Sequence, residues 1–333
     1  MLSRFLRRSL AASVAALLGT ATFAVSNPSV AVAADPVVSL AVPAYFTDPV
    51  LWDRVLNEPS VRYVIGHPLA PVAGETYKAD SDLLDRLAQA KAKGKIPLVY
   101  VTGGYDKVDW RVVADRIDLV LGAYPAAAGV FIDEINYDQC AKYSSLSKGT
   151  TATKGIRARQ PGKLIMLNPG APMLNCYEGI ADGYVNLERA ERDIPAWTQN
   201  VNLAANVSFY SWMFTEANRP KMWEVIHSVN AAGVSGALDA ALSRNAGVVY
   251  ITDDVMPNPY DTLPSEAAWK AILDRVVQYN SAQIAVPALR SVPVPKPTTA
   301  SASSASSASS ASTATTKKPT TKKRVVRKTT KRR

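Results

Sequence analysis

The sequence predicts a (β/α)8 barrel. Three observations carry that prediction. Short apolar runs recur along the chain, bounded by Gly, Pro, Asn or Asp, as strands buried on both faces should be. Segments of helical period lie between several of them. The alternation extends from residue 35 to about residue 281, the rhythm and size of a single barrel domain.

Taken in order, the strand candidates are Val37–Tyr45, Val61–His67, Ile96–Tyr105, Ala128–Glu134, Leu164–Asn168, Gly183–Glu188, Val207–Met213 and Ala246–Asp253. Between the second and third, Asp80 to Lys93 places Leu83, Leu84, Leu87 and Ala90 on one helical face, and Gly94 follows as a stop. Asp109 to Leu121 repeats the pattern with Val112, Ile117, Val120 and Leu121. Arg219 to Ala232 and Glu266 to Tyr279 also read as helices. Gln139 to Pro161 is polar and reads as a long loop with a short helix.

The two ends differ from this body. Residues 1–34 read as an export signal: Arg4, Arg7 and Arg8, an apolar run from Leu10 to Val25, then Ala31-Val32-Ala33 as a small-residue cleavage site. The barrel occupies 35–290. Residues 291–316 form a linker rich in Pro, Ala, Ser and Thr, with little to bury. Residues 317–333 hold ten Lys or Arg and no acid. The formal charge of +10 therefore belongs to the ends; the rest of the chain carries 25 basic residues against 28 acids. The basic tail fits an anionic polymer such as cell wall, exopolysaccharide or extracellular DNA. The expected protein is secreted or held at the cell surface, monomeric and without a transmembrane segment.

Two cysteines, Cys140 and Cys176, follow the fourth and fifth strands. In an exported chain they read as one disulfide tying two loops of one rim, the alternative being two free thiols. His67 and His227 are far apart, no metal-ligand spacing appears, and no cofactor is expected.

The chemistry gathers where the strands end. Gly129-Val130-Phe131-Ile132 runs into Asp133 and Glu134. The other strand ends supply Tyr45, His67, Thr102, Tyr105, Asn168, Glu188, Tyr210, Trp212 and Asp253. Barrel enzymes place their sites on this rim. Carboxylates and aromatics without a nucleotide loop or metal cluster point to carbohydrate chemistry. Cleaving a glycoside needs one acid to protonate the leaving oxygen and a second to attack or to activate water. Glu188 with one of Asp133 and Glu134 is the expected catalytic pair. In a regular strand the two neighbours face opposite sides, whereas a bulge would bring both inward. His67 reads as a sugar contact or as a loop histidine, and Tyr45 and Trp212 as cleft walls or core.

These segments resemble the spherulation-specific family 4, the spherulin-4-like proteins. The resemblance rests on Val42-Pro43-Ala44-Tyr45, Val99-Tyr100-Val101-Thr102, the strand ending in Asp133-Glu134, and Asn168-Pro169-Gly170. Val185-Asn186-Leu187-Glu188, Tyr250-Ile251-Thr252-Asp253 and Pro259-Tyr260-Asp261-Thr262-Leu263-Pro264 complete it. It implies a barrel related to glycoside hydrolases that cleaves α-1,4-linked galactosamine or N-acetylgalactosamine polymers, with the acidic positions on Asp133, Glu134 and Glu188. It also implies an Asn-Pro, Ser/Gly-rich loop after the second strand, where this chain has Gly66-His67-Pro68-Leu69-Ala70-Pro71. The alternative from a different class is a non-catalytic glycan-binding barrel tethered by its tail.

Overall fold

The computed structural model describes residues 37–70, 77–150, 153–195 and 208–290. The signal segment, the linker and the basic tail lie outside the described residues. Eight parallel strands close into a barrel. They are β1 (Ser39–Ala44), β2 (Val61–Gly66), β3 (Ile96–Thr102), β4 (Gly129–Asp133), β5 (Leu164–Leu167), β6 (Gly183–Ala190), β7 (Met222–His227) and β8 (Val248–Ile251). Strand β1 pairs with both β2 and β8, which removes the sheet edges.

The outer layer consists of α1 (Pro49–Asn57), α2 (Ser81–Ala92), α3 (Trp110–Ala123), α4 (Cys140–Lys148), α5 (Ile156–Arg159), α6 (Val234–Ser243) and α7 (Glu266–Arg290). Asp48, Asp80 and Asp109 cap the first three helices, each accepting a backbone N–H in the first turn. Inside the barrel Trp223 packs its ring against Tyr63, at 4.6 Å between centroids, and against Phe131, at 6.3 Å. The interior is thus filled with side chains, and only the mouth is left for chemistry. At Gly129 the strands approach so closely that a Cβ would lie 2.1 Å from the Leu164 carbonyl oxygen.

Seven of the eight strands fall where the sequence places them. The seventh does not. Val207–Met213 is not a strand: residue 207 lies outside the described residues, and Ser211–Phe214 forms a 3-10 turn. The seventh strand is Met222–His227, inside the segment read as a helix from Arg219 to Ala232. Every residue of that strand is buried, including Glu224, whose charge interrupts the apolar run. Arg244, twenty residues away, neutralises it with contacts of 2.9 and 2.5 Å. Helices α1 and α6 were not predicted. The region read as a loop with a short helix contains α4, a two-stranded hairpin (149–150 with 153–154) and α5.

Candidate active site

Strand β4 delivers two acids and its last step separates them. Glu134 has φ 54°, in the left-handed region that a non-glycine residue rarely takes. Its carbonyl accepts from Tyr105 N at 2.6 Å, and that of Asp133 from Gly103 N at 2.8 Å, so the following loop holds the turn. Glu134 turns to Thr102, whose hydroxyl donates to Oε2 at 2.5 Å. Asp133 is left facing Asn168 and Glu188.

Strand β6 aims Glu188 by a different device. The register slips between Val185 and Leu187, so Asn186 is an extra residue in the β6–β7 pairing. A bulge of this kind shifts the alternation of side chains. Asn186 and Leu187 lie beside Glu224 and Arg244 on the helix side, while Glu188 reaches Asn168 and Tyr260.

Asn168, 5% exposed, joins the acids. Its Nδ2 donates to Asp133 Oδ1 at 2.8 Å and to Glu188 Oε2 at 2.6 Å. Its Oδ1 accepts from Gly170 N at 2.9 Å, which fixes the amide so that nitrogen faces the acids. Gly170 has φ 58°, and a Cβ there would meet the Cβ of Glu188 at 3.3 Å. The Asn168-Pro169-Gly170 turn is therefore built around Glu188.

Burial, and then the charge of Glu188, push the Asp133 carboxyl up to about 7. The N–H of Glu134 and the hydroxyl of Tyr100 act against this rise. Among the described residues no ion pair reaches Asp133, Glu134 or Glu188. Burial and the neighbouring acid therefore let Asp133 keep its proton to higher pH than an ordinary carboxyl.

An aromatic wall stands over the acids. Tyr45 meets Tyr100 and Tyr260 edge-on, with centroids 5.8 and 5.7 Å apart. His67 lies between Tyr45 and Tyr100, at 4.8 and 4.6 Å. Its partial burial lowers its pKa, so the imidazole is neutral at neutral pH. Tyr260 donates its hydroxyl to Glu188 Oε1. Two cavities adjoin this wall. One, of about 480 Å3, is lined by Tyr45, Phe46, Trp52, His67 and the start of α2; the other, of about 300 Å3, by His67, Tyr100, Thr102 and Glu134. Asp133 and Glu188 line neither, so both cavities are side spaces of the mouth.

The structure thus brings together Tyr45, His67, Thr102, Asp133, Glu134, Asn168 and Glu188. Tyr105 stands exposed on the same rim, within range of the charges of Asp133 and Glu134. Trp212 is core: its Nε1 donates to the Met173 carbonyl at 3.0 Å and its ring packs on Tyr184. Tyr210, just before that turn, also packs against the core. Asp253 accepts from Ser265 N at 2.9 Å ahead of α7. Tyr100 and Tyr260 are site residues that the sequence reading did not single out. Tyr100 was findable as the inward position two residues before Thr102. His227, ending β7 with its pKa lowered by burial, was hidden by the helix reading of its segment. Cys140 and Cys176 form the disulfide, joining α4 to the turn after β5. Among the described residues no group of three or more His, Cys, Asp or Glu could hold a metal ion, and no helix is long and apolar enough to cross a membrane.

The same architecture occurs in Aspergillus clavatus Sph3, solved in complex with GalNAc. The TM-score is 0.54 at 22% identity, covering 73% of this chain and 98% of that one. Lower scores relate it to a GH99 endo-alpha-mannosidase from Bacteriodes thetaiotaomicron (0.44 at 11% identity, covering 74% and 90%). The glycoside hydrolase domain of PelA from Pseudomonas aeruginosa scores 0.39 at 11% identity, covering 65% and 95%. No curated protein sequence matches the chain. Fold and site define a closed (β/α)8 barrel with a carboxylate pair at its mouth. The sequence matches the spherulation-specific family 4 over residues 39–276, and the chain belongs to that family.

Proposed function

We propose that this protein is a secreted, endo-acting glycoside hydrolase of α-1,4-linked galactosamine or N-acetylgalactosamine polymers. The observation that carries the proposal is the pair Asp133 and Glu188, bridged by one amide nitrogen beneath an aromatic wall. The GalNAc bound to Sph3 and the family membership support an amino sugar as the substrate class.

Asp133, protonated at rest, gives its proton to the glycosidic oxygen as the bond to the anomeric carbon breaks. Glu188, met by an amide and a phenol, attacks that carbon as the carboxylate and forms an ester. Asp133, now a carboxylate, takes a proton from water. The water oxygen displaces Glu188, and both acids return to their starting states. The nearest oxygens of the pair are no farther apart than the two bonds through Asn168 Nδ2, 2.8 and 2.6 Å, allow. That closeness fits the roughly 5–5.5 Å of retaining pairs and leaves no room for the water of an inverting site. Tyr45, Tyr100 and His67 stack the sugar faces, and Glu134 with Thr102 fixes hydroxyl or amide groups.

The test is hydrolysis of partly and fully N-acetylated α-1,4-galactosaminan by the wild type and by Glu188→Gln. Oligosaccharides released by the wild type alone, with the anomer retained, support the assignment. Binding of both polymers by both proteins without release would favour the non-catalytic barrel. Export and attachment through residues 317–333 are part of the proposal. Salt-sensitive retention on an anionic polymer, lost on truncation after Thr316, checks the attachment.

A further inference from the structure

Each acid of the pair has its own phenol. Tyr260, from the loop between β8 and α7, donates to Glu188 Oε1, while Asn168 occupies Oε2. Tyr100, from β3, is the phenol that acts on Asp133, while Asn168 occupies Oδ1. Asn168 binds both acids through one nitrogen and cannot favour one without turning from the other. The tyrosines have no such constraint.

Both phenols are held in place. Tyr260 accepts from Tyr45 N at 3.3 Å through its carbonyl, and its ring packs against Tyr45 and Tyr250, with centroids 5.7 and 6.1 Å apart. The Tyr100 ring is set between His67 and Tyr45. Burial, and then the charge of the partner acid, raise the pKa of both hydroxyls, so each keeps its proton and stays a donor. A donor facing a carboxylate stabilises the charged form.

The remaining surroundings do not duplicate this role. Asp133 also faces Glu188 from β6 and Glu134 just after its own strand, with the phenols of Tyr45, Tyr105 and Tyr260 farther out. Glu188 also faces Asp133 and lies within range of the phenols of Tyr45, Tyr100 and Tyr105 and of His227 from β7, whose ring Nδ1 meets Ser228 Oγ at 3.0 Å. No Lys or Arg among the described residues forms an ion pair with either acid.

We propose that Tyr100 and Tyr260 are positioning residues that divide the proton control of the pair, Tyr100 acting through Asp133 and Tyr260 through Glu188. This rests on the hydrolase reading for its kinetic consequence, though not for its titration. The two limbs of the pH–rate profile are then tuned by different residues. Removing the Tyr260 hydroxyl destabilises ionised Glu188, which must be charged to attack, so the acid limb moves to higher pH. Removing the Tyr100 hydroxyl destabilises ionised Asp133, which must be protonated to act, so the basic limb moves to higher pH. One variant narrows the active range and the other widens it.

The experiment is carboxyl-carbon NMR titration of the full chain labelled at Asp and Glu, for wild type, Tyr100→Phe and Tyr260→Phe, beside kcat/KM profiles for the same proteins. The expected result is a rise of roughly one pH unit in the Glu188 transition for Tyr260→Phe and in the Asp133 transition for Tyr100→Phe. The corresponding limb should move by the same amount. Equal shifts of both transitions in both variants, or no shift, would overturn the division of control. If a Phe variant fails to fold, 3,5-difluorotyrosine at that position keeps the ring and strengthens the donor; its acid must then titrate about one unit lower or the proposal fails. Shifted carboxyl transitions without polymer cleavage would sink the hydrolase reading and leave this inference standing.

Discussion

Glu188 and Glu224 lie on neighbouring strands, one register step apart: Glu188 opposite Val225, and Glu224 opposite Leu187. Both carboxyl groups are sheltered, and they are answered in opposite ways. Glu224, fully buried, faces the helix layer, where Arg244 grips it through Nε and Nη2. Glu188 faces the mouth and is met by an amide and a phenol, both neutral, with a second acid beside it. An acid matched by its own guanidinium has its charge spent on structure. An acid surrounded by neutral donors and another carboxyl can exchange protons, and such groups mark functional sites. The contrast separates the two glutamates by their partners, where burial alone would have ranked Glu224 first.

Exchanging each charge for an amide tests that contrast most strongly. Glu188→Gln is expected to lose on the order of 10^3–10^4 in kcat/KM on the polymer, with little change in urea midpoint. Glu224→Gln is expected to do the reverse, losing stability while each folded molecule stays within about tenfold of wild-type activity. If Glu224→Gln instead removed activity at unchanged stability, the separation would collapse.

The cost of breaking the structural pair is the next largest effect. Arg244→Met leaves Glu224 charged and unanswered, at about 3–5 kcal/mol by urea denaturation. Replacing both partners with apolar residues of similar volume should recover most of that loss. A double variant as unstable as the single one would assign the loss to packing.

The same contrast explains what the sequence could reveal. Asp133, Asn168 and Glu188 were legible because they end apolar runs in a barrel, where side chains reach the mouth. Glu224 worked in the opposite direction. A charge inside Met222–His227 made a fully buried strand look amphipathic, since its partner Arg244 belongs to another element. The aromatic run of Phe209, Tyr210 and Trp212 looked like a strand, yet Trp212 packs in a short turn. The division of labour between Asp133 and Glu134 depends on φ 54° at a non-glycine residue, which no residue type announces. Tyr260 comes from a loop without period, so only its membership of a family motif marked it.

The disulfide ranks alongside the ion pair in size but lies on the rim. Cys140 and Cys176 are 36 residues apart, and the chain-entropy relation gives roughly 3–4 kcal/mol for closing such a loop. The Cys140→Ser, Cys176→Ser double variant should show that loss in a urea melt without reducing agent. Reduced wild type should match it. A much smaller loss would mean that the surrounding contacts, including the Trp212 bond to Met173, already hold this rim.

The smallest expected effect is the stability that the acid pair at the mouth gives up. The Asp133 carboxyl is raised to about 7 in the folded protein, by burial first and the charge of Glu188 second. A carboxyl with a raised folded pKa favours folding while protonated in both states. The unfolded chain ionises first, so that advantage is lost progressively from about pH 4 and is gone above about pH 7. Asp133→Asn removes the titration and keeps the shape. At pH 8 the variant should therefore be more stable than wild type, on the order of 1–3 kcal/mol, with the gap closing by pH 4. Paired thermal melts at the two pH values read this directly. Glu224 is also raised by burial, but its partner is a guanidinium, so its amide variant leaves Arg244 unanswered where Asp133→Asn leaves no charge behind. An Asp133→Asn protein that was less stable at pH 8 would mean that Asn168 binds Asp133 as structure, and the distinction between the two kinds of acid would no longer hold.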